Sequence, residues 1–105
     1  MDWNVEQSRV FSKDGNGELI AEATFYEKPN GDFDIDHTYV VPRLRGRGIA
    51  DEMMKALAGV IREKGAKVTA SCSYANAWLK RYKDAYADII SEDLTNEAIA
   101  CHLKQ

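Results

Sequence analysis

The sequence predicts a mixed α/β (α+β) fold: an antiparallel β-meander, a β–α–β crossover with parallel strands, and C-terminal helices. Three observations predict it. Apolar residues alternate with period two over the first forty positions, with Gly- and Asn-containing turns between the runs. The period then lengthens to about 3.6 from Ile49 onward. A short strand-like run returns at Lys67 to Ser73. A chain of 105 residues suits one domain over 1–105, and 45 % hydrophobic with 30 % charged residues is a globular balance, not a disordered one.

The elements follow in order. Val5 to Phe11 reads as a first strand, ending at Lys13-Asp14-Gly15-Asn16-Gly17, where glycine permits the positive φ of a hairpin. In Glu18 to Glu27, Leu19, Ala21, Ala23 and Phe25 share one face, with Glu22, Thr24 and Tyr26 on the other. Pro29-Asn30-Gly31-Asp32 marks a second hairpin. The third strand, Phe33 to Val41, places Phe33, Ile35, His37, Tyr39 and Val41 on one face and Asp34, Asp36 and Thr38 on the opposite, solvated one.

Pro42 ends that strand. Ile49, Met53, Leu57 and Val60 then form one helical stripe, with Ala56 and Ile61 beside it, and Gly65 stands at the C-cap. Val68, Ala70 and Cys72 share a face of the next strand. Strand, helix, strand in succession predicts a crossover between parallel strands. Tyr74 to Tyr82 reads as helical, and Ser91 or Thr95 is positioned to cap a short final helix.

Composition excludes several classes. The formal net charge of −3 argues against a protein built to grip nucleic-acid backbone. Two cysteines, Cys72 and Cys101, do not make a secreted disulfide framework. The start Met1-Asp2-Trp3-Asn4 has no secretory pattern, and no apolar run reaches membrane-span length, so the expected setting is cytoplasmic, with neither nucleic acid nor membrane as partner. Cys101 and His102 stand apart from other ligand types, and the Asp32, Asp34, Asp36 run lacks an EF-hand pattern. No metal is expected.

The informative segment is Val40-Val41-Pro42-Arg43-Leu44-Arg45-Gly46-Arg47-Gly48-Ile49-Ala50. It lies after a strand and directly opens an amphipathic helix. The first N–H groups of a helix have no internal partner, and the helix dipole favours an anion there. Glycines let the backbone approach the ligand, and the arginines add charged donors. The plainer alternative is a Gly-containing loop with solvated arginines. A dinucleotide fingerprint fails because Asp51 stands where a third glycine belongs, and a Walker A loop fails for want of Gly-Lys-Ser/Thr.

Arg43-x-x-Gly46-x-Gly48 resembles the Gln/Arg-x-x-Gly-x-Gly/Ala pyrophosphate motif of the GNAT N-acetyltransferase superfamily. His37-Thr38-Tyr39-Val40, the glycine loop and Ser71-Cys72-Ser73-Tyr74, in that order, resemble its small, single-domain acetyltransferase-like branch, the N-acetyltransferase domain-containing proteins. The resemblance runs from about Glu18 to Ile90. It implies a minimal GNAT fold with a splayed pair of parallel strands, and acetyl-CoA (coenzyme A) as cosubstrate. It implies that Val40 and Val41 bond the pantetheine arm, that Arg43 takes the first motif position, and that Arg45, Gly46, Arg47, Gly48, Ile49 and Ala50 cradle the pyrophosphate. It places Cys72 beside the acyl end.

Catalytic candidates follow with their alternatives. Cys72 is either a nucleophile carrying a transient acyl group or a small buried hydrophobe. His37 is a base or, as lone histidines on such faces more often are, a hydrogen-bonded structural residue. Tyr74 or Tyr82 fits the tyrosine general acid of many GNAT enzymes, or packs in the core. Asn76 reaches pantetheine or sits in the first turn of its helix. The expected reaction is acetyl transfer to an amine, direct or through Cys72. The tight turn at Gly15 and Gly17 leaves no room for the helices that shape an acceptor pocket in larger enzymes. That suggests an open site for a protein or peptide, or one completed by a partner chain as in a homodimer. The rivals are a CoA-binding sensor or interaction module without efficient catalysis, and a nucleic-acid binder using Arg43, Arg45 and Arg47.

Overall fold

The computed structural model describes residues 2–92 and 94. Their five-stranded sheet has the order β1-β2-β3-β4-β5. The elements are β1 (Asn4–Glu6), β2 (Arg9–Lys13), β3 (Leu19–Glu27), β4 (Phe33–Val40), α1 (Ile49–Glu63), β5 (Val68–Ala70) and α2 (Ser73–Arg81), with a 3-10 turn at Pro42–Leu44. Neighbours are antiparallel except β4 and β5, which are parallel. The mixed fold and its β–α–β unit are therefore as the sequence predicts.

The first expected strand is in fact a hairpin. Val5 to Phe11 breaks at Gln7-Ser8, and Glu6 pairs with Arg9 across the turn. Neither turn residue is Gly, Pro or Asn, so the run looks continuous in sequence; an Arg9 Nε to Glu6 Oε1 bond of 2.7 Å spans the corner. The second hairpin is better signalled. Asp14 Oδ1 accepts from the N–H groups of Asn16 and Glu18, and Gly17 takes φ 82°.

The inner sheet face carries Val10, Ala21, Ala23, Phe25 and Ile35, all at most 1 % exposed. α1 covers it with Met53, Leu57 and Ile61, each fully buried. Each such large side chain contributes about 1.5–3 kcal/mol relative to exposure. Val60, expected on the same stripe, is only half-buried, and Met54 and Ala58 are buried instead. Gly65 takes φ 67° and its N–H bonds Arg62 O, ending α1 where expected.

The expected faces of the third strand need correction. Between Thr24 and Phe25 the pairing jumps from His37 to Ile35, so Asp36 is an extra, bulged residue. The alternation resets there. His37 does not share the buried face of Ile35 but is exposed, while Thr38 and Val40 turn inward opposite Ala23 and Ala21. Asp34 is not solvated: it is 0 % exposed.

β5 is shorter than the expected Lys67 to Ser73. It pairs with β4 only from Phe33↔Val68 to Ile35↔Ala70. Beyond that, the N–H groups of Ser71 and Cys72 both bond Ile35 O, and the chain turns into α2. The strands part here, leaving the second half of β4 without a β5 neighbour. The expected cap at Thr95 and the tail with Cys101 and His102 lie outside the described residues. No helix among the described residues is long and apolar enough to cross a membrane.

Candidate functional site

The loop from Pro42 to Gly48 joins the free half of β4 to α1. Arg45 is extended, Gly46 takes φ 82°, and Gly48, the N-cap, takes φ 79°. Only glycine adopts such angles without strain. Glycine also offers no capping oxygen, and no side chain caps α1. The N–H groups of Gly46, Arg47, Gly48, Ile49, Ala50 and Asp51 donate to no atom among the described residues. A Cβ added at Gly46 or Gly48 would meet nothing within 4 Å. These amides face open space at the positive end of a fifteen-residue helix.

Two clefts adjoin them. One, of about 260 Å³, is lined by Leu44, Gly46, Gly48, Ile49, Asp51 and others. The second, of about 480 Å³, is lined by His37, Thr38, Tyr39, Met53 and others, and shares Val40, Arg45, Ala50 and Tyr74 with the first. Together they run from the glycine loop along the unpaired edge of β4.

The arginines divide their work. Arg43 Nη2 bonds Asp14 (3.1 Å) and Glu18 (2.9 Å) on the β2–β3 hairpin, so its guanidinium braces the loop from outside. Arg45 Nε donates to Val40 O at 2.9 Å, closing the loop on the strand. Arg47 is exposed and makes no hydrogen bond or ion pair among the described residues. Val41 has both backbone groups engaged: its N–H bonds Ile20 O, and its C=O takes Leu44 N–H. Val40 carries the backbone edge that lines the clefts.

At the fork, Cys72 is partly buried and its Sγ lies 3.4 Å from Thr38 Oγ1. Thr38 lines the larger cleft; sequence reasoning passed over it because the face it occupies depends on the Asp36 bulge. Tyr74, the second residue of α2, is 41 % exposed and borders both clefts. Burial, aided by the Asp51 carboxylate, pushes its phenol above the ordinary value, so it stays protonated. Tyr82 borders neither cleft and stacks on Trp78, ring centroids 4.9 Å apart. Asn76 is buried and its Nδ2 donates to Ala70 O, fastening α2 to the end of β5. Its amide nitrogen is thereby spent on structure.

Asp51, awkward for an anion site by sequence, is turned to other work. It accepts from Trp78 Nε1 at 2.8 Å and pairs with Lys55 at 3.1 Å. Those bonds, the Trp78 bond foremost, hold its carboxyl below the usual value. Among the described residues no group of three or more His, Cys, Asp or Glu gathers as a metal site would require.

A forked pair of parallel strands, with a glycine loop and unpartnered amides at the end of the freed strand, is an arrangement chemically able to hold a phosphorylated ligand beside a strand edge. Residues 9–89 match the family model of the GCN5-related N-acetyltransferases, and the chain belongs to that family. The solution structure of a GCN5-like protein from Staphylococcus aureus superposes with a TM-score of 0.70 at 30 % identity, over 86 % of this chain and 87 % of that one. A ribosomal-protein-alanine N-acetyltransferase from Brucella melitensis gives 0.51 at 28 % identity, over 59 % of this chain and 47 % of that one. This chain thus spans about half of that enzyme. No curated protein matches the sequence. Membership in the family supports acyl transfer in general terms.

Proposed function

We propose that this chain, as a single domain over 1–105, is an acetyl-CoA-dependent N-acetyltransferase acting on an amine acceptor. One observation carries the proposal: the run of unpartnered amides from Gly46 to Asp51 opens onto the cleft along the free edge of β4. Acetyl-CoA brings the acetyl group as an activated thioester, and its donor set fits the site. Gly46, Arg47, Gly48, Ile49 and Ala50 offer amides to the pyrophosphate, and the Arg47 guanidinium adds charge. Val40 offers its strand-edge N–H to a pantetheine carbonyl, its own C=O being engaged by Arg45 Nε. A further cleft, lined by Asp51, Tyr74, Ala77, Trp78, Arg81 and Tyr82, offers aromatic rings to the adenine and the Arg81 guanidinium to the 3′-phosphate, with Asp51 turned to Trp78 and Lys55.

Tyr74, kept protonated, donates a proton to the departing CoA sulfur. In direct transfer, the acceptor nitrogen attacks the thioester carbonyl and loses a proton to solvent or to His37, which is exposed on the larger cleft. In the two-step route, the Cys72 thiolate takes the acyl group first and the amine then displaces it. Cys72→Ala separates them: lost turnover with CoA affinity kept supports the two-step route, and full turnover supports direct transfer.

The outer face of β3 and β4, with Tyr26, Asp36 and His37 exposed, suits a protein or peptide acceptor. The same openness supports a second reading, a CoA-binding module without efficient turnover. Calorimetric titration with acetyl-CoA and CoA tests both. Wild type is expected to bind each. Gly46→Glu, which puts a carboxylate among the amides, is expected to bind neither, and Gly46→Ala measures the backbone strain alone. Wild type binding neither ligand would sink both readings; binding with no acetylation of any amine would leave the second.

A further inference from the structure

Opposite α1, the sheet buries a polar cluster that the cofactor clefts do not use. Asp34 and Thr69 are 0 % exposed and adjacent across β4 and β5. The Asp34 carboxylate accepts from Thr69 Oγ1 at 2.7 Å, Ser71 Oγ at 2.6 Å and Ser71 N at 3.3 Å. Lys28 Nζ adds a longer contact of 3.4 Å to Thr69 Oγ1. Burying a carboxylate is a poor way to gain stability, since an apolar pair of similar volume serves as well or better. A buried, fully bonded polar cluster instead fixes one geometry.

The geometry it fixes is the fork. Ile35 O receives both Ser71 N and Cys72 N at 3.1 Å, while Asp34 holds the Ser71 side chain and amide from the other face. Ser71 is thus gripped on two sides at the last point where β4 and β5 touch. The next residue is Cys72, whose Sγ meets Thr38 across the opening. We infer that Asp34 is a positioning residue: through Ser71 it sets where the Cys72 thiol stands relative to β4. This deepens the proposed function, because it rests on Cys72 lying at the acyl end.

Two partners of the same carboxylate make the test. Ser71 adjoins the thiol and Thr69 does not. In a Cys101→Ser background, which leaves Cys72 as the only thiol, Asp34→Asn, Ser71→Ala and Thr69→Val are compared. The measurements are acetyl-CoA turnover and the alkylation of Cys72 by iodoacetamide. Asp34→Asn and Ser71→Ala are expected to lower kcat about tenfold with KM for acetyl-CoA unchanged, the signature of a misplaced group rather than weaker binding. Both are expected to speed alkylation roughly threefold as the corner loosens. Thr69→Val is expected to lower Tm while leaving kcat and alkylation as in wild type. If Asp34→Asn does not fold, the Ser71→Ala and Thr69→Val pair decides. The alkylation pattern is decisive: equal effects of the two hydroxyl deletions, or no change in Ser71→Ala, overturns the inference. A wild type that folds and alkylates but transfers no acetyl group defeats the proposed function instead, and alkylation still tests the placement of the thiol.

Discussion

Arg43 holds the first position of the glycine motif, yet its guanidinium reaches Asp14 and Glu18 rather than the loop amides. The three arginines look alike in sequence; their partners distinguish a brace (Arg43), a loop clasp (Arg45) and an exposed cation (Arg47). Arg43→Gln is therefore expected to leave the Kd for acetyl-CoA within about threefold of wild type, whereas Arg47→Gln weakens it by more. Titration calorimetry at low and moderate salt checks this; a larger loss for Arg43→Gln would place its side chain on the ligand. Tyr74 is the other single residue with a clear consequence. Its phenol is held above the ordinary value of 10.0, with burial the main cause. As a proton donor it serves while protonated, so the alkaline fall in turnover through this group should have its midpoint above the ordinary tyrosine value. Tyr74→Phe is expected to lower kcat and remove that fall, which a pH–rate profile of both proteins would read.

Between elements, the link from Asp51 to Trp78 ties the first turn of α1 to α2. The glycine-loop end of one helix is thus clasped to the helix that carries Tyr74. The lowered Asp51 carboxyl gives this clasp a sign. Its contribution to stability is present above the unfolded value near 3.8 and is lost as pH falls through the depressed folded one. Trp78→Phe removes the largest cause of the shift, so the acid-side loss of Tm should shrink relative to wild type. An unchanged Tm–pH curve would show that Lys55 alone holds the carboxylate. This clasp also marks where sequence reading stops. The meander, α1 and the glycine loop were legible because each is written in local period or spacing. The turn at Gln7-Ser8 was not, since neither residue demands a turn. Nor were the burial of Asp34 and the Trp78 bond, which depend on partners 35 and 27 residues away.

At the scale of the whole molecule, one core serves both halves of the fold. Phe25 and Ile35 of the sheet, Met53 and Leu57 of α1, and Ala75 and Leu79 of α2 belong to a single buried cluster. The clefts lie at the edge of that cluster, so their shape depends on α1 keeping its seat. Leu57→Ala should cost about 2–5 kcal/mol in denaturant unfolding, and should weaken acetyl-CoA binding far less than Gly46→Glu does. A comparable loss of binding would mean that α1 shifts as a body.

The bulge at Asp36 has a bearing on how this chain tolerates change in length. A strand sets its side chains down left foot, right foot, and one extra step swaps the feet for everything after it. In β4 that step comes between the part zipped to β5 and the part that borders the cleft. Removing Asp36 alone would make the pairing regular and leave Thr38 and Val40 facing inward, whereas removing one residue between His37 and Val40 would send Val40 to the outside. The hairpin at Lys28 to Asp32 can gain or lose a residue with no such reversal, because the pairing there restarts at the turn. Relatives that share this cleft should therefore vary in length at that hairpin or at the bulge, and keep an unbroken count from His37 to the glycine loop.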